Sequence, residues 1–277
     1  MKTLKLLTGI SIVLFLMIVA CDKNEEEEPC NQTVSIDLGE DQVVQEGMAI
    51  VLDAGAAGST YTYLWNTGAT TQTISVTEAG EYSVTVKSCS DEDSDTIFVD
   101  VSFPTIKVET DFGDFRIWLY NETPLHKENF LSLTEEDFYN NLIYHRVIYD
   151  FVIQGGDPDG TGWGDPGYTI PAEIVDGLNH VYGAVGAARL PDTLNPDRES
   201  NGSQYYIVCD PDGRPGLDGD YTVFGLVFTG METVLDISQV EVDEDDKPLV
   251  DVLMKKLTVE YYTAQALKDT FNFDVPE

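Results

Sequence analysis

The sequence predicts a mainly β protein in two parts, a small antiparallel sandwich followed by a closed antiparallel barrel that two short helices cap. Apolar residues alternate with polar residues in many short runs, which is the pattern of half-buried strands. Gly, Asn, Asp and Thr separate these runs at short spacing, as they do where turns connect antiparallel strands. Helical signals occur at only two places, so we expect the helices to cap the strands.

Composition limits both the size and the partners of the chain. Its 277 residues can hold two modest domains. The 50 acidic and 15 basic residues give a net charge of −35, which argues against nucleic acid as a partner because phosphate binding needs Lys and Arg. Solubility and mutual repulsion are the simplest interpretation of this charge. The sequence has no CxxC motif and no His-rich cluster, so we expect neither a metal nor a cofactor.

Residues 1–20 have the pattern of an export signal. Lys2 and Lys5 precede an apolar run, Leu6–Ala20, that is too short for a typical membrane-spanning helix. The letters IVAC at the end of this run, whose last residue is Cys21, resemble the lipobox of bacterial lipoproteins. That resemblance implies lipidation of Cys21 and a lipid-anchored protein of the cell envelope, on the outer membrane and facing either the periplasm or the cell surface. An ordinary signal peptide followed by a chance Cys is the alternative.

Residues 21–29, which include the run DKNEEEEP, are predicted to be an acidic tether. A run of like charges cannot bury apolar surface and is typical of a disordered segment. An acidic patch directly after a lipidated Cys also resembles the surface-export signal of Bacteroidetes lipoproteins. A plain spacer is an equally good interpretation.

Residues 30–102 form the predicted sandwich, with Trp65 expected in its core. Cys30 and Cys89 bracket this domain, and an oxidising compartment would let them form a disulfide. Such a bond could add roughly 2–4 kcal/mol of stability. The stretch YTYLWNTGATTQTISVTEAGEYSVTV resembles the immunoglobulin-like, PKD-like repeats of Bacteroidetes exported proteins. The resemblance implies a spacer or binding module with no chemistry of its own.

Residues 105–260 form the predicted barrel, after a junction at Ser102-Phe103-Pro104. The segments Ile106–Thr110 and Phe115–Leu119 alternate around a turn and are predicted to be two strands. The remaining residues of this part show mostly the same alternation, so we expect them to be further strands and loops.

Two segments of the barrel part are predicted to be helices. Thr123 and Pro124 make a good N-cap and first-turn pair, and the helix is expected to run through PLHKENFLSL. The residues of this helix expected to pack inward are Leu125, Phe130 and Leu133. A second helix is predicted near Met231–Ser238, where Val234, Leu235 and Ile237 supply apolar contacts. Residues 261–277 form a tail that shows only one possible helical turn and stays unassigned.

The segment YHRVIYDFVIQGGD, residues 144–157, is the most informative of the chain. It places an Arg and a Gln in an apolar run, where a charge needs a partner or a function. The segment resembles the signature of the cyclophilins, a family of peptidyl-prolyl cis-trans isomerases. Further motifs occur on both sides of this segment in the order that the family has, and they extend the resemblance over nearly all of 105–260. They are TDFGDFRIWLY and ENFLSL before it, and GAVGAAR, NGSQYYIV and LDGDYTVFGLV after it. It implies a closed barrel of about eight strands and cofactor-free isomerase activity.

The resemblance also implies site residues, position by position. Arg146 matches the catalytic Arg, Phe151 the aromatic floor of the proline pocket, and Gln154 the Gln that holds the substrate backbone. The residues implied to bind the substrate around them are Val152, Ala188, Gln204, Tyr206, Leu217 and Tyr221. Tyr206 replaces the usual Phe of the pocket wall. Gly216 stands where many members carry a Trp that is important for cyclosporin binding, so we expect weak inhibition by cyclosporin.

An Arg suits the chemistry that this family performs. Rotation about an X–Pro bond meets an amide-resonance barrier of about 18–20 kcal/mol, and the twisted amide gives the prolyl nitrogen a usable lone pair. The guanidinium of Arg146 is always charged and carries several donors in a planar fork, so it can bond to that lone pair. Such bonds would strengthen only as the amide twists. Outside this motif, pairing with a surface carboxylate would be the simpler interpretation.

Other noticeable residues have structural interpretations. His145 precedes the Arg on the opposite strand face and is expected to be a packed histidine. Cys209 lies in an apolar run and is expected to be a buried thiol. The Asp-rich segment Asp157–Asp165 fails the EF-hand pattern because Gly160 is misplaced and the twelfth position lacks Glu.

Two hypotheses for function follow. The first is a lipid-anchored, monomeric prolyl isomerase that acts on proline-containing segments of exported proteins. The alternative is a non-catalytic lipoprotein that binds proline peptides or serves as a chaperone or adhesin. The changes at Tyr206 and Gly216 and the additional N-terminal domain motivate this alternative.

Overall fold

The structure is a computed structural model that describes residues 33–55, 58 and 60–276. The predicted export signal 1–20, the lipidation site Cys21, the tether 21–29 and Cys30 lie outside these residues. Among the residues that the structure describes, no helix is long and apolar enough to cross a membrane.

Six strands build the N-terminal part of the described chain. They are β1 (Gln42–Gln45), β2 (Ile50–Asp53), β3 (Thr62–Trp65), β4 (Thr73–Val76), β5 (Gly80–Lys87) and β6 (Glu92–Thr110). Strands β3, β5, β6 and β1 lie side by side in that order, while β2 pairs with β4 in a separate sheet. Both sheets contribute to one core, in which Trp65 is only 1% exposed. Strand β1 runs parallel to β6, unlike the antiparallel pairing that we predicted.

Strand β6 continues from the N-terminal part into the C-terminal part. Its first half pairs with β5, and its second half pairs with the strand that follows it. Ser102, Phe103 and Pro104, where we expected the junction, are therefore strand residues. No loop separates the two parts at this point, because the same backbone serves both ladders.

Nine further strands follow β6. They are β7 (Asp114–Leu119), β8 (Leu142–Ile148), β9 (Val152–Gly155), β10 (Thr169–Ile170), β11 (Ala184–Ala187), β12 (Ser200–Asn201), β13 (Tyr205–Val208), β14 (Val223–Thr229) and β15 (Leu253–Thr263). Pairing runs β6–β7–β14–β11–β13–β9–β8–β15, and β15 pairs with β6 again. We call these eight strands the ring. Strands β10 and β12 form a separate two-stranded sheet.

The first predicted helix is present as α1 (Pro124–Glu135). Its N-terminus differs from our prediction, because the Thr123 side chain makes no capping bond. The carboxylate of Glu173 replaces it and accepts from the backbone N–H groups of Leu125 at 3.1 Å and His126 at 3.0 Å. The helix therefore begins where the sequence indicates, with a cap from a distant loop.

The buried face of α1 is only partly the predicted one. Phe130 and Leu133 are buried in the core of the ring, as predicted. The prediction for Leu125 is wrong, since this side chain is 46% exposed. Leu125 faces outward in the first turn, whereas the next residue, His126, is 3% exposed and stacks on Phe224.

Two more helices complete the described chain. The second predicted helix is present as α2 (Met231–Ser238), with Val234 and Ile237 buried. The third, α3 (Ala264–Phe271), lies in the tail that we left unassigned, and Thr263 caps it by accepting from the backbone N–H of Ala266 at 3.2 Å. The residues after α3 pack back onto the ring through Phe273, whose ring centre is 4.7 Å from that of Phe228.

Candidate functional site

A pocket of about 170 Å³ opens on the outer face of the ring. Nine residues line it: Arg146, Phe151, Val152, Gln154, Ala188, Arg189, Tyr206, Leu217 and Tyr221. Eight of them were predicted from the sequence, and Arg189 was not. The remaining predicted residue, Gln204, lines a neighbouring cavity of about 270 Å³ that shares Gln154, Ala188 and Arg189 with the pocket.

Strand register explains why these residues meet. Arg146 on β8 lies opposite Gln154 on β9, Gln154 lies opposite Tyr206 on β13, and Tyr206 lies opposite Gly186 on β11. Paired residues on neighbouring strands project to the same face. A guanidinium, an amide and an aromatic side chain therefore stand in one row across the strands of the ring, while the preceding residue of β13, Tyr205, faces the core.

The guanidinium of Arg146 is loosely held. Its Nη1 lies 3.5 Å from Oε1 of Gln154, and its Nε lies 3.8 Å from Oδ2 of Asp246. The side chain of Arg146 is 39% exposed, so the contact with Asp246 contributes about 1 kcal/mol or less. Within the described part of the chain no closer hydrogen bond or ion pair holds this group, and its donors can turn to a ligand in the pocket.

Gln154 is oriented by a second Gln. Its Nε2 donates to Oε1 of Gln204 at 3.0 Å. Gln204 is buried, and its own Nε2 donates to the carbonyl oxygens of Gly164 at 2.7 Å and Gly162 at 3.2 Å. The carbonyl oxygen of the Gln154 side chain therefore faces Arg146. Gln204 acts on the pocket through Gln154 and does not line it.

Apolar side chains form the walls of the pocket. The side chains that pack together in this way and line the pocket are Val152, Ala188, Tyr206, Phe151, Leu217 and Tyr221. Val152 and Gln154 share one strand face, as the alternation predicted. Such a wall can enclose a compact apolar ring, while Arg146 and Gln154 place polar groups at its edge.

Two arginines that the sequence argument missed pack on the aromatic walls. The Cζ atom of Arg189 lies 4.5 Å from the centre of the Tyr221 ring, and that of Arg214 lies 4.9 Å from the centre of the Phe151 ring. Cations at these distances hold an aromatic ring in place. Arg189 follows Ala188 in the GAVGAAR motif, so its position beside the pocket could have been anticipated, whereas nothing local in the sequence points to Arg214.

The Asp-rich segment is a structural loop. Asp157 is 1% exposed, and its carboxylate accepts from the backbone N–H groups of Asp159 at 2.7 Å and Thr161 at 2.9 Å. Burial would raise the pKa of Asp157, but these bonds and others from the loop outweigh it and lower the pKa. Among the described residues no group of His, Cys, Asp and Glu side chains could hold a metal ion.

His145 and Cys209 are buried, as predicted. His145 is 5% exposed, and burial lowers the pKa of its imidazole. Cys209 is a free thiol, 1% exposed, and burial raises its pKa to about 12. Cys89 is disulfide-bonded, whereas its predicted partner Cys30 lies outside the described residues.

Comparisons with known proteins agree on the C-terminal part of the chain. The family model described as cyclophilin type peptidyl-prolyl cis-trans isomerase/CLD matches residues 105–259. Peptidyl-prolyl cis-trans isomerase CYP18-2 of Arabidopsis thaliana is 36% identical over 158 residues, which are 56% of this chain and 93% of the relative. Peptidyl-prolyl cis-trans isomerase-like 1 of Neurospora crassa is 39% identical over the same shares.

A solved structure gives the same result. The crystal structure of a cyclophilin type peptidyl-prolyl cis-trans isomerase from Cryptosporidium parvum has a TM-score of 0.52 and 30% sequence identity, and it covers 56% of this chain and 96% of its own. The matched family model spans all eight residues of the pocket that the sequence predicted. The chain therefore belongs to the cyclophilin-type peptidyl-prolyl cis-trans isomerase family.

Proposed function

We propose that this protein accelerates the isomerisation of X–Pro bonds in exported proteins, with Arg146 stabilising the twisted amide. The observation that carries the proposal is a weakly engaged guanidinium at the edge of an apolar pocket of about 170 Å³. A prolyl ring fits the apolar walls, and the amide bond that precedes it would then lie beside Arg146.

The chemistry needs only differential binding. No covalent bond breaks, so the catalyst has to favour the twisted amide over both planar forms. Twisting localises a lone pair on the prolyl nitrogen, to which the Arg146 guanidinium can donate. Gln154, held by Gln204, is placed to bond the peptide backbone and keep it still while the amide rotates.

The proposed substrates follow from the proposed location. The export signal 1–20 and the lipobox-like Cys21 support a lipid-anchored protein of the cell envelope. The disulfide at Cys89 supports an oxidising compartment. Proline-containing segments of other exported proteins would be the substrates there. Replacing Cys21 by Ser should release the protein from membranes and abolish labelling by an alkyne fatty acid; unchanged labelling would contradict lipidation at this residue.

The N-terminal part is proposed to be an immunoglobulin-like module that serves as a spacer or docking element. Strand β6 supports a rigid connection to the isomerase part, as does the ion pair between Lys127 Nζ and Glu46 Oε2 at 2.6 Å. We propose a monomer, which light scattering after gel filtration would test.

One experiment separates the two hypotheses for function. Purified residues 22–277 are added to a proline-containing tetrapeptide, and exchange between its cis and trans signals is measured by NMR. Line broadening from exchange supports the enzyme. Changes in the chemical shifts of the peptide without a faster cis–trans exchange would instead support the non-catalytic binding protein.

A further inference from the structure

The hydroxyl of Tyr206 has a buried partner behind the pocket. Tyr206 is 5% exposed and stands where the family pattern has a ring without a hydroxyl. Its Oη lies 2.8 Å from Nε2 of His180, which is 2% exposed. The two rings are nearly parallel, with an interplanar angle of 13° and centres 5.9 Å apart. The additional hydroxyl is thus paired inside the protein.

Asp218 determines which atom donates in this pair. Its Oδ1 lies 2.8 Å from Nδ1 of His180 and also accepts from the His180 backbone N–H at 2.8 Å. Burial would raise the pKa of Asp218, but these hydrogen bonds lower it, so the carboxylate is ionised and can only accept. Nδ1 therefore carries the proton of a neutral imidazole, and Nε2 accepts from the hydroxyl of Tyr206.

The surroundings of His180 favour this neutral form. Burial lowers the pKa of its imidazole, and the bond to Asp218 opposes that effect without cancelling it. The other ring that faces it is Tyr221, with centres 6.5 Å apart. Arg214 meets His180 only through its backbone N–H, which donates to the His180 carbonyl at 2.7 Å, while its guanidinium pairs with Asp210 at 2.9 Å.

The lack of a side chain at Gly186 makes room for the Tyr206 ring. A Cβ atom at this position would lie 2.3 Å from Cζ and 2.5 Å from Oη of Tyr206. The ring can therefore reach His180 only because residue 186 has no side chain. This close approach is independent of the hydrogen bonds and points to the same fixed position of the hydroxyl.

We propose that Asp218 and His180 are positioning residues that keep the hydroxyl proton of Tyr206 turned out of the proline pocket. The inference rests on the proposed isomerase function. A free hydroxyl in the wall could donate to the planar amide of the substrate, and a bond to the ground state lowers the differential binding that catalysis needs. With its hydroxyl proton donated in a hydrogen bond to Nε2 of His180, Tyr206 presents the pocket with an apolar ring face.

The first test reads the tautomer directly and needs no activity. The nitrogen-15 NMR signals of His180 at neutral pH should show a protonated Nδ1 and an unprotonated Nε2. The His180→Leu variant assigns the signals. A proton on Nε2 would overturn the proposal, because Tyr206 would then accept the bond and its own proton would be free to turn.

The second test is a kinetic cycle with Tyr206→Phe, His180→Leu and the double variant. His180→Leu should lower kcat by about fivefold to tenfold, in the range of an unpaired buried hydroxyl, while KM stays equal or falls. In the Tyr206→Phe background the same change should have little further effect, because no hydroxyl needs a partner. Equal losses in both backgrounds would mean a merely structural role and would overturn the proposal.

Control variants distinguish a failure of this inference from a failure of the proposed isomerase function. His145→Leu replaces another buried imidazole, whose two ring nitrogens lack a partner within the described chain, and it should leave kcat and KM at wild-type values. Where His180→Leu does not fold, Asp218→Ala is the second variant; it removes the acceptor of Nδ1, so a lower kcat is expected and an unchanged kcat contradicts the inference. An inactive wild-type protein would refute the isomerase function, and the tautomer measurement would still decide the hydrogen-bond direction.

Discussion

Replacing Arg146 by Ala should separate catalysis from stability. The guanidinium makes a 3.5 Å contact with Gln154 and a 3.8 Å contact with Asp246, its Cζ lies 6.0 Å from the centre of the Phe151 ring, and the side chain is 39% exposed. Losing a contact of this kind costs about 1 kcal/mol of folding free energy or less. Removing one preorganised donor from a developing charge costs about 10²–10³ in rate. Activity should thus fall far more than stability.

The partly exposed position of Arg146 determines how large a loss of activity we expect. Water weakens electrostatic stabilisation, so we expect the lower end of that range, about a hundredfold loss in kcat/KM, or about 2.7 kcal/mol. Arg146→Lys keeps the charge but loses the planar fork, so its loss should be smaller but still measurable.

The assay is cis–trans exchange of a proline tetrapeptide, with the melting temperature measured on the same samples. Arg214→Ala is the matched control, since it removes the other cation from the Phe151 ring, 4.9 Å from its centre. Because Arg214 does not line the pocket, its loss of activity should be well below that of Arg146→Ala. A kcat/KM of Arg146→Ala within about twofold of wild type would show that Arg146 is not a catalytic donor, because removing such a donor should cost far more.

Three further predictions test the pocket and its loop. Gly186→Ala should lower both kcat/KM and the melting temperature, because the new Cβ would lie 2.3 Å from Cζ of Tyr206; unchanged values in both measurements would show that the ring can move aside. Gly216→Trp should lower the cyclosporin concentration needed for half inhibition, since no atom outside its neighbours lies within 4 Å of a Cβ at this position, and equal inhibition of both proteins would contradict the family-based expectation. The lowered pKa of Asp157 means that its carboxylate stabilises the fold above its ordinary pKa of 3.8 and that this stabilisation is lost as the pH falls through the folded-state pKa. Asp157→Asn should therefore reduce the loss of unfolding free energy, measured in urea, as the pH is lowered. A loss as steep as that of wild type would show that other carboxyls cause it.

Local patterns were sufficient for several of the elements. Alternation predicted the strand segments Ile106–Thr110 and Phe115–Leu119, which lie in β6 and β7, and the Thr123-Pro124 pair predicted the start of α1 at Pro124. The second helix, Met231–Ser238, lies in the region where it was predicted. These features depend on residues within one turn or one strand, which the sequence shows directly.

Long-range contacts explain the differences. Leu125 lies on the outward face of the first turn of α1, and Glu173, nearly fifty positions away along the chain, supplies the cap expected from Thr123. The junction expected at Pro104 lies within β6, because each half of that strand has its own partners. No local pattern reports which strands will pair.

The candidate site shows the same division. From the sequence alone, the ordered motifs determined the family resemblance and eight of the nine residues that line the pocket, since residue identities carry that information. Only the tertiary structure decided that Gln204 acts through Gln154, that Arg189 and Arg214 hold aromatic walls, and that His180 and Asp218 stand behind Tyr206. The physical reason is that hydrogen bonds and ring contacts depend on the register of strands far apart in sequence, which side-chain chemistry along one segment does not specify.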